Sequence, residues 1–412
     1  MQKYSVLLRS KLPVLAAVAA ILVILSLGTH TRGSLRAAWG KLQDYPMTPL
    51  FADTRTITHS IDCLLSGQDP YVVRTFDPWH RLYNYPPIWL DARYLGVTSR
   101  SSNFIGAMMA FTTVSALLLL FSARSWLSAI IIFFAVISRS VLFAVERGNT
   151  DQIIFSLLVL GLFLIDRQKN RLKPFFKGLL IVLLTVLKIY PVAAVVIFIR
   201  HRRGILKAVL TGTLSIAALV LTAGRRLPVL LGNTPRDSLL SFGAYPFFLA
   251  LGEHTLRRTV AIIQAHNSTV QIGALLLGAL AMLAGLACGD RLIRFLPPLD
   301  SDRARGCIAI AGLAIFCFAF VSGASYDYRL IFLLGALAYL VEDMNQGMSL
   351  NSLPAAVLIV LLLWKPSYLS SVGELSDGLV FIMASAWLGN SLLSRTNNED
   401  TMPLRPEALK SI

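Results

Sequence analysis

The sequence predicts an all-α fold: a polytopic transmembrane helical bundle of about 10–12 membrane helices, forming a single domain over residues 1–412. Hydrophobic residues make up 55% of the chain and charged residues only 15%. Many apolar runs approach or exceed the roughly 18–20 residues that a helix needs to cross the hydrocarbon core. Many of the lysines and arginines lie in short loops between these runs, which is typical of the positive-inside rule.

Each apolar run predicts a membrane helix or part of one. The first run follows Lys3, Arg9 and Lys11, as in a signal peptide, but no small-residue cleavage site comes after it. We therefore expect an uncleaved N-terminal anchor. The runs lie at 12–28, 103–121, 126–144, 152–165, 175–199, 205–224, 270–288, 306–322, 329–341, 350–364 and 377–394.

The charge and the metal-binding residue types exclude several function classes. The net charge of +16 does not indicate nucleic-acid binding, because many of the basic residues lie in the short loops between apolar runs. The four cysteines show neither a disulfide framework nor CxxC spacing, and the six histidines are scattered. We expect no metal ion and no cofactor.

Placing the N-terminus in the cytoplasm gives a topology that fits the charges. The turn 122–125, the loops 166–173 and 289–306, and the C-terminal tail then face the cytoplasm, and each carries Lys or Arg. The long first loop, 29–102, faces outward, where long loops are exempt from the charge rule. The polar residues that are hardest to explain lie in the outward-facing segments, which are 29–102, 145–151, 188–191, 225–269, 323–328 and 365–376.

The run 175–199 breaks the simple alternation, because basic loops flank it on both sides. If both loops are cytoplasmic, the run forms two short arms that meet near Lys188–Pro191, since proline disfavours helix at the preceding residue. Broken helices at membrane depth line protein or a wet cavity. The alternative is one kinked helix with Lys188 near its middle, where an ammonium group costs a few kcal/mol.

The first outer loop carries a candidate catalytic residue. "FADTRTITHSIDCLLSGQDPY" places Asp53 at the start of an amphipathic helix. Aspartate is also a preferred N-cap, so a purely structural role is the alternative at this position.

Two shorter outer segments carry further candidates. "VERGNTDQ" contains Glu146, Arg147, Asn149 and Asp151, more polar residues than a tight turn needs, although an ordinary polar turn is the alternative. "SGASYDYRLIF" places Tyr326, Asp327 and Arg329 near a helix end, where interfacial anchoring is the alternative.

Convergence of these segments on one face would group cations with carboxylates. Lys188, Arg147 and Arg329 would suit a phosphate or pyrophosphate, which arginine can bind with two hydrogen bonds. Carboxylates such as Asp53 and Asp151 would suit general-base catalysis or binding of sugar hydroxyls. The sequence contains no Walker loop, zinc ligand set or Ser-His-Asp pattern.

The ordered set "FADTRTITHSIDCLLSGQDPY", "YNYPPIWL", "ERGNTDQIIF", "LKIYP" and "SYDYRLIFLL" resembles the integral-membrane GT-C glycosyltransferases. The closer resemblance is to glycosyltransferase family 87, the polyprenyl-phosphate-mannose-dependent α-mannosyltransferases and their bacterial relatives. It covers most of residues 50–335. "GNTD" departs from the Gln- or Asn-rich version of many relatives, which leaves the roles of Asn149 and Asp151 open.

The resemblance implies an inverting, single-displacement transfer of a sugar, mannose in the best-known case, from a polyprenyl-phosphate donor to a hydroxyl of a lipid or glycan acceptor. It implies Asp53 as the base, and neither a nucleotide sugar nor a metal. The site would face the periplasm or exterior of a cell membrane, with both termini cytoplasmic. We expect Lys188, Tyr190, Arg147 and Arg329 at the donor phosphate and Glu146, Asn149, Asp151, Tyr326 and Asp327 at the sugar or acceptor.

Two other classes stay open from the residues alone. A surface-polysaccharide polymerase or ligase would use an oligosaccharide on a pyrophosphate carrier. A polytopic transporter or flippase would also use midplane charges and a broken helix, but it would be expected to contain an internal repeat, which this sequence does not show.

Overall fold

The computed structural model of the chain describes residues 2–43, 45–168, 171–199, 202–234, 240–255, 267–293, 295–346, 350–365 and 370–393. The predicted all-α bundle is confirmed. The α-helices are α1 (Gln2–Arg32), α2 (Leu35–Trp39), α3 (Ala52–Leu65), α4 (Ser102–Leu120), α5 (Trp126–Val136), α6 (Arg139–Arg147), α7 (Thr150–Arg167), α8 (Lys173–Leu187), α9 (Arg202–Ala223), α10 (Leu227–Asn233), α11 (Ala244–Thr255), α12 (Asn267–Leu292), α13 (Ala304–Val321), α14 (Leu333–Asn345), α15 (Leu353–Leu363) and α16 (Ser370–Leu393).

Short elements of other kinds connect these helices. Strands β1 (Ser241–Phe242) and β2 (Ser325–Tyr326) pair antiparallel, with Ser241 opposite Tyr326. The 3₁₀ helices are Pro87–Leu95, Ser99–Ser101, Tyr190–Phe198, Gly224–Arg226, Asp327–Phe332 and Leu350–Ser352.

The chain is an integral membrane protein. Among the described residues, six helical segments are long and apolar enough to cross a membrane by length and composition. Many apolar side chains on their surfaces are exposed, such as Phe104 and Phe111 of α4 at 70% and 66%, as expected where lipid surrounds them. The expected total of about 10–12 membrane helices stays a prediction. The six segments are Ser10–Thr31, Ser99–Leu120, Trp126–Arg147, Gly204–Leu230, Thr269–Cys288 and Ala304–Val321.

The densest part of the bundle is formed by the C-terminal half. Helix α12 packs along α16, and α13 packs against α14 and the 3₁₀ helix Tyr190–Phe198. Phe320 stacks on Phe381 of α16, with ring centroids 4.1 Å apart, and both rings are fully buried. This core gives the polar segments at its end a rigid support.

The predicted break in the run 175–199 is confirmed. Helix α8 ends at Leu187, Lys188 is extended (φ −165°), and a nine-residue 3₁₀ helix starts at Tyr190. Pro191, near the start of the second arm, has no N–H to continue the α-helical hydrogen bonds. Both arms pack against α9, and the second arm also contacts α8.

The second arm turns back toward the end of the bundle from which α8 starts. Arg226, just beyond α9, pairs with Asp69 of the first loop at 2.8 Å, which puts the C-terminal end of α9 beside that loop. Helix α9 has 22 residues and is therefore about 33 Å long. Its N-terminal end lies far from the first loop, so the arm from Tyr190 to Phe198 runs away from Lys188. The two-arm interpretation is correct.

The segments predicted to face outward meet at one end of the bundle. Trp89 Nε1 of the first loop donates to Leu187 O at the break, at 3.0 Å. Asn233 Nδ2 donates to Tyr71 O at 2.9 Å. Lys365 Nζ donates to Ser241 O at 3.0 Å. We call this end the loop end.

The segments predicted to face the cytoplasm meet at the opposite end. Lys11 Nζ donates to Phe121 O at 2.7 Å, Arg305 pairs with Glu342 at 3.0 Å, and Lys177 Nζ donates to Ser301 O at 3.3 Å. The grouping of loops into two sets, which rested on charge alone, is reproduced by the packing. The C-terminal tail and residues 235–239 and 256–266 of the segment 225–269 lie outside the described residues.

Candidate active site

Asp53 lies in the first turn of α3, at the loop end. The N-cap of α3 is Phe51, in the left-handed conformation (φ 64°), so Asp53 does not cap its own helix. Phe51 N donates to Glu146 O at 2.8 Å, and Thr54 Oγ1 donates to Gly148 O at 2.7 Å. These contacts fix α3 against the turn between α6 and α7 and leave the Asp53 side chain 12% exposed.

The Asp53 carboxylate is held from two sides. Arg81 Nη1 donates to Oδ1 at 3.0 Å, and Asn149 Nδ2 donates to Oδ2 at 2.5 Å. Arg81 also bonds to Asp77 and to Ala52 O, and it lies over the Trp79 ring at 4.8 Å. Burial would lower the pKa of the Arg81 guanidinium, but Asp53 and Asp77 together raise it. Arg81 therefore stays charged and fixes the orientation of Asp53.

Asn149 belongs to the turn between α6 and α7, where the sequence "RGNTD" suits both helix ends. Gly148 ends α6 in the left-handed conformation (φ 57°), which favours glycine. Asn149 is the N-cap of α7, and its Oδ1 accepts from Asp151 N at 2.9 Å. Because Oδ1 accepts the capping hydrogen bond, the amide nitrogen Nδ2 can donate to Asp53.

Asp151, fully buried in the first turn of α7, joins three elements. It pairs with Lys188 at the break, accepts a hydrogen bond from the Tyr190 hydroxyl, and pairs with Arg329 Nε at 3.3 Å. Lys188 Nζ also donates to Thr150 Oγ1 at 3.1 Å. The positive end of the α7 dipole further favours a carboxylate at this position. The two-arm element and the 3₁₀ helix Asp327–Phe332 are thus both attached to α7.

The ammonium group of Lys188 lies close to three tyrosine rings. Its Nζ is 5.6 Å from the centroid of the Tyr85 ring, 5.7 Å from that of Tyr190 and 5.8 Å from that of Tyr328. Tyr85 and Tyr328 are both buried, and each has a face on the large cavity described below. Among the contacts of the described residues, the charge of Lys188 is matched by Asp151.

Glu146 and Arg147 form a pair at the end of α6. Glu146 Oε1 accepts from Met47 N at 2.8 Å, and Arg147 Nε lies 3.3 Å from Glu146 Oε2. Arg147 also contacts Met47 Sδ and covers the Phe143 ring at 5.0 Å. Arg147 faces the cavity, while Glu146 is fully buried and holds the loop before α3.

Tyr326 and Asp327 lie on different sides of the chain where β2 joins the 3₁₀ helix. Tyr326 faces the cavity, and its ring stacks on Tyr328 with centroids 5.3 Å apart. Asp327 Oδ1 lies 3.9 Å from Lys365 Nζ, in a buried cluster completed by Glu374 at 2.7 Å and Asp377 at 2.9 Å. The structure places Asp327 with this lysine rather than with Asp53.

A cavity of about 830 Å³ opens at the loop end in front of Asp53. Among its described lining residues, Asp53 is the single carboxylate, whereas four arginines (Arg36, Arg74, Arg81 and Arg147) supply positive charge. Such a cavity suits a ligand that carries negative charge. Its lining is Arg36, Tyr45, Pro46, Met47, Thr48, Asp53, Thr56, Arg74, Trp79, His80, Arg81, Leu82, Asn84, Tyr85, Phe143, Arg147, Gly232, Asn233, Leu240, Tyr326 and Tyr328.

Sequence reasoning missed several of these residues. Arg81 and Tyr85 lie in "FDPWHRLYNYPP", a stretch that reads as an extended segment, and Arg36 and Arg74 are isolated basic residues of a long loop. A charged residue two positions after Trp79 in a non-membrane segment was the available signal for Arg81. Within the described part of the chain, no group of three or more His, Cys, Asp or Glu is arranged to hold a metal ion.

Comparison with known proteins gives one family. The sequence model described as glycosyltransferase family 87 matches residues 83–342, well over half of the chain. The matched segment includes Asn149, Asp151, Lys188 and Arg329, and it begins after Asp53 and Arg81. No curated protein and no solved structure matches the chain significantly.

Proposed function

The chain belongs to glycosyltransferase family 87 and is a membrane glycosyltransferase, and from this premise we propose the donor, the base and the course of its reaction. The donor in this proposal is a polyprenyl-phosphate sugar, with mannose as the first candidate, and the acceptor is a hydroxyl of a lipid or glycan. The observation that carries the proposal is the placement of Asp53, the single carboxylate among the described residues that line the cavity, together with four arginines.

In the proposed reaction, the acceptor oxygen attacks the anomeric carbon as Asp53 takes the hydroxyl proton. The bond between that carbon and the phosphate oxygen breaks, and its electron pair leaves with the polyprenyl phosphate. A single displacement of this kind inverts the anomeric configuration. General-base catalysis typically contributes about 10²–10⁴ in rate. Arg81 and Asn149 support this role because they fix both oxygens of Asp53.

Arg147 is the predicted phosphate ligand that the cavity geometry supports best. Its guanidinium lines the cavity, and arginine stabilises a leaving phosphate with hydrogen bonds and charge. The contacts of Lys188, Tyr190 and Arg329 are with Asp151 and its neighbours. For these three residues we propose a positioning role. Through Asp151 they hold the break and the 3₁₀ helix Asp327–Phe332 against the start of α7, where Asn149 contacts Asp53.

The sugar and acceptor are proposed to lie against the aromatic side of the cavity. Tyr326 and Tyr328 present stacked rings there. Asn149 reaches this region through its bond to Asp53. For Glu146, Asp151 and Asp327, whose described contacts are with the protein itself, we propose support of the site in place of direct sugar binding.

The orientation follows from the charges. Basic loops gather at the end opposite the cavity, and the positive-inside rule assigns that end to the cytoplasm. We propose that the cavity opens to the periplasm or exterior, with both termini cytoplasmic.

Purified protein in nanodiscs, supplied with radiolabelled polyprenyl-phosphate mannose and an acceptor extract, tests the proposal. Asp53→Asn keeps the size of the side chain and should lower transfer by about 10²–10⁴. The matched control is Asp77→Asn, which also removes a carboxylate from Arg81 but at a residue outside the cavity lining, and it should cost much less. Near-normal transfer by a folded Asp53→Asn variant would show that Asp53 is not the base. Transfer from pyrophosphate carriers alone would favour a polymerase or ligase.

A further inference from the structure

A second, mostly apolar groove of about 420 Å³ adjoins the cavity at the loop end. Leu35, Pro49, Leu50 and Phe51 form its apolar surface. Arg55 lies at its edge, but its guanidinium is engaged with Leu50 O at 2.8 Å and Asn103 Oδ1 at 2.6 Å. Arg55 therefore holds the wall of the groove in place.

The groove and the cavity share two residues, Arg36 and Thr48, which line both. Arg36 is exposed, and no carboxylate among the described residues pairs with its guanidinium. Arg36 and Thr48 therefore lie where the groove meets the cavity. The combined space is almost wholly apolar on the groove side of Arg36, whereas the cavity on the other side is lined by both polar and apolar groups. Such a space suits an amphiphile that carries a charged group between an apolar tail and a polar head.

The groove lies at the level where two candidate membrane segments end. Ser10–Thr31 stops just before Leu35, and Ser99–Leu120 starts beside Asn103. Helix α2 folds back on α1 so closely that Gly28 lies against Ala38, which keeps Leu35 and Arg36 near the end of the segment. Apolar side chains on α1 are exposed below the groove, including Leu22 at 62% and Leu27 at 59%. A lipid chain in the groove can continue directly into the bilayer.

We propose that this groove receives the isoprenoid chain of the donor, with the sugar in the cavity and the donor phosphate bound by Arg36 together with Arg147, which lines the same cavity. The proposal rests on the proposed function for the identity of the lipid. The alternative route for the isoprenoid chain would run along the apolar helices around the break at Lys188. The cavity and groove together exceed the volume of typical small-ligand pockets, as a sugar with several isoprene units requires.

Two matched leucine-to-tryptophan variants separate the two routes. Leu35→Trp fills the groove, and Leu183→Trp adds the same bulk on α8, where the leucine is similarly exposed (40% and 48%). Each is assayed with a long-chain polyprenyl-phosphate mannose and with a water-soluble two-isoprene analogue. Leu35→Trp should raise the KM for the long donor about tenfold or more, because the indole ring would keep several isoprene carbons from being buried in the groove. The KM for the short donor should change much less. Leu183→Trp should change neither, and the opposite pattern would overturn the proposal.

Arg36→Gln tests the phosphate position. It should raise the KM about tenfold or more for both chain lengths, since either donor phosphate would then meet a neutral amide in place of a charged hydrogen-bond donor. An unchanged KM for both donors would overturn the position of the phosphate. A change in the acceptor KM alone, for Leu35→Trp or Arg36→Gln, would assign the groove to the acceptor and overturn the proposal as well.

Photolabelling keeps the groove testable if no sugar transfer is found. A farnesyl-length phosphate with a terminal benzophenone, which carries no sugar, is cross-linked to the wild-type protein, and the labelled peptides are mapped by mass spectrometry. Labels within residues 34–51, competed away by undecaprenyl phosphate, would support the groove even if the proposed reaction were wrong. Labels on α8 or α9, or no competed label, would overturn the groove while leaving the proposed reaction to the transfer assay.

Discussion

Replacing Asp151 with asparagine should destabilise the fold more than replacing Lys188 with methionine, although the two residues form one ion pair. Asp151 is fully buried and faces both Lys188 and Arg329, whose side chains are 13% and 16% exposed. Asparagine preserves the size of the side chain and the backbone N–H that Asn149 caps. The change therefore removes the negative charge and little else, and it leaves two cations without their partner.

The expected magnitudes follow from this asymmetry. Removing one member of a buried ion pair costs about 3–5 kcal/mol, because the remaining charge is left uncompensated. Lys188→Met leaves Asp151 still paired with Arg329 and bonded to Tyr190, so its cost should be that of the missing hydrogen bonds, about 1–3 kcal/mol.

Thermal unfolding of the detergent-solubilised protein, followed by intrinsic fluorescence, gives the ranking. Lys177→Met is the matched control, because this lysine of α8 contacts only neutral groups, Ser301 O and the Cys307 thiol, among its described hydrogen bonds. The midpoints should fall in the order Lys177→Met, Lys188→Met, Asp151→Asn, with the last lowest. A midpoint for Lys188→Met below that of Asp151→Asn would refute the view that Asp151 is the centre of this network.

Two further substitutions probe the support of the site. Gly148→Ala should lower both the unfolding midpoint and the rate of sugar transfer, because the new Cβ would overlap Thr54 Oγ1 at a left-handed backbone position. Gly67 has a similar φ but open space around it, so Gly67→Ala should cost only the backbone strain. Equal losses in the two variants would contradict this explanation. Lys365→Met should destabilise the fold by about 3–5 kcal/mol, since Glu374 and the neighbouring acidic residues would be left without their buried cation. If the variant unfolds at the wild-type midpoint, these carboxyl groups are already neutral.

Much of the architecture was predictable from local sequence. Apolar length gave the membrane helices, basic loops grouped the connections into two sets, and Pro191 with Lys188 marked the break. These features depend only on short stretches of chain. Each residue's preference for lipid or water is the same wherever that residue lies in the sequence. The start of α3 near Asp53 was predictable for the same reason, as an amphipathic pattern with an acidic first turn.

The pairing of charges was not predictable in this way. The sequence placed Lys188 among the candidate phosphate ligands and did not indicate its ion pair with Asp151, which is 37 residues earlier in the chain. Arg81 reaches Asp53 across 28 residues. No periodicity records such a contact, because it depends on how α3, α7 and the broken helix are placed against each other.

The sequence by itself therefore determined that this chain is a membrane-embedded helical protein with its unusual polar residues at one end, and its motifs indicated the family. The tertiary structure decided which of those residues are neutralised within the protein and which face open space. A charge in a poorly solvated region must either find a partner or face a wet cavity. Lys188 pairs with Asp151 and does not line the cavity, whereas Asp53 and Arg147 line the cavity in addition to pairing with Arg81 and Glu146.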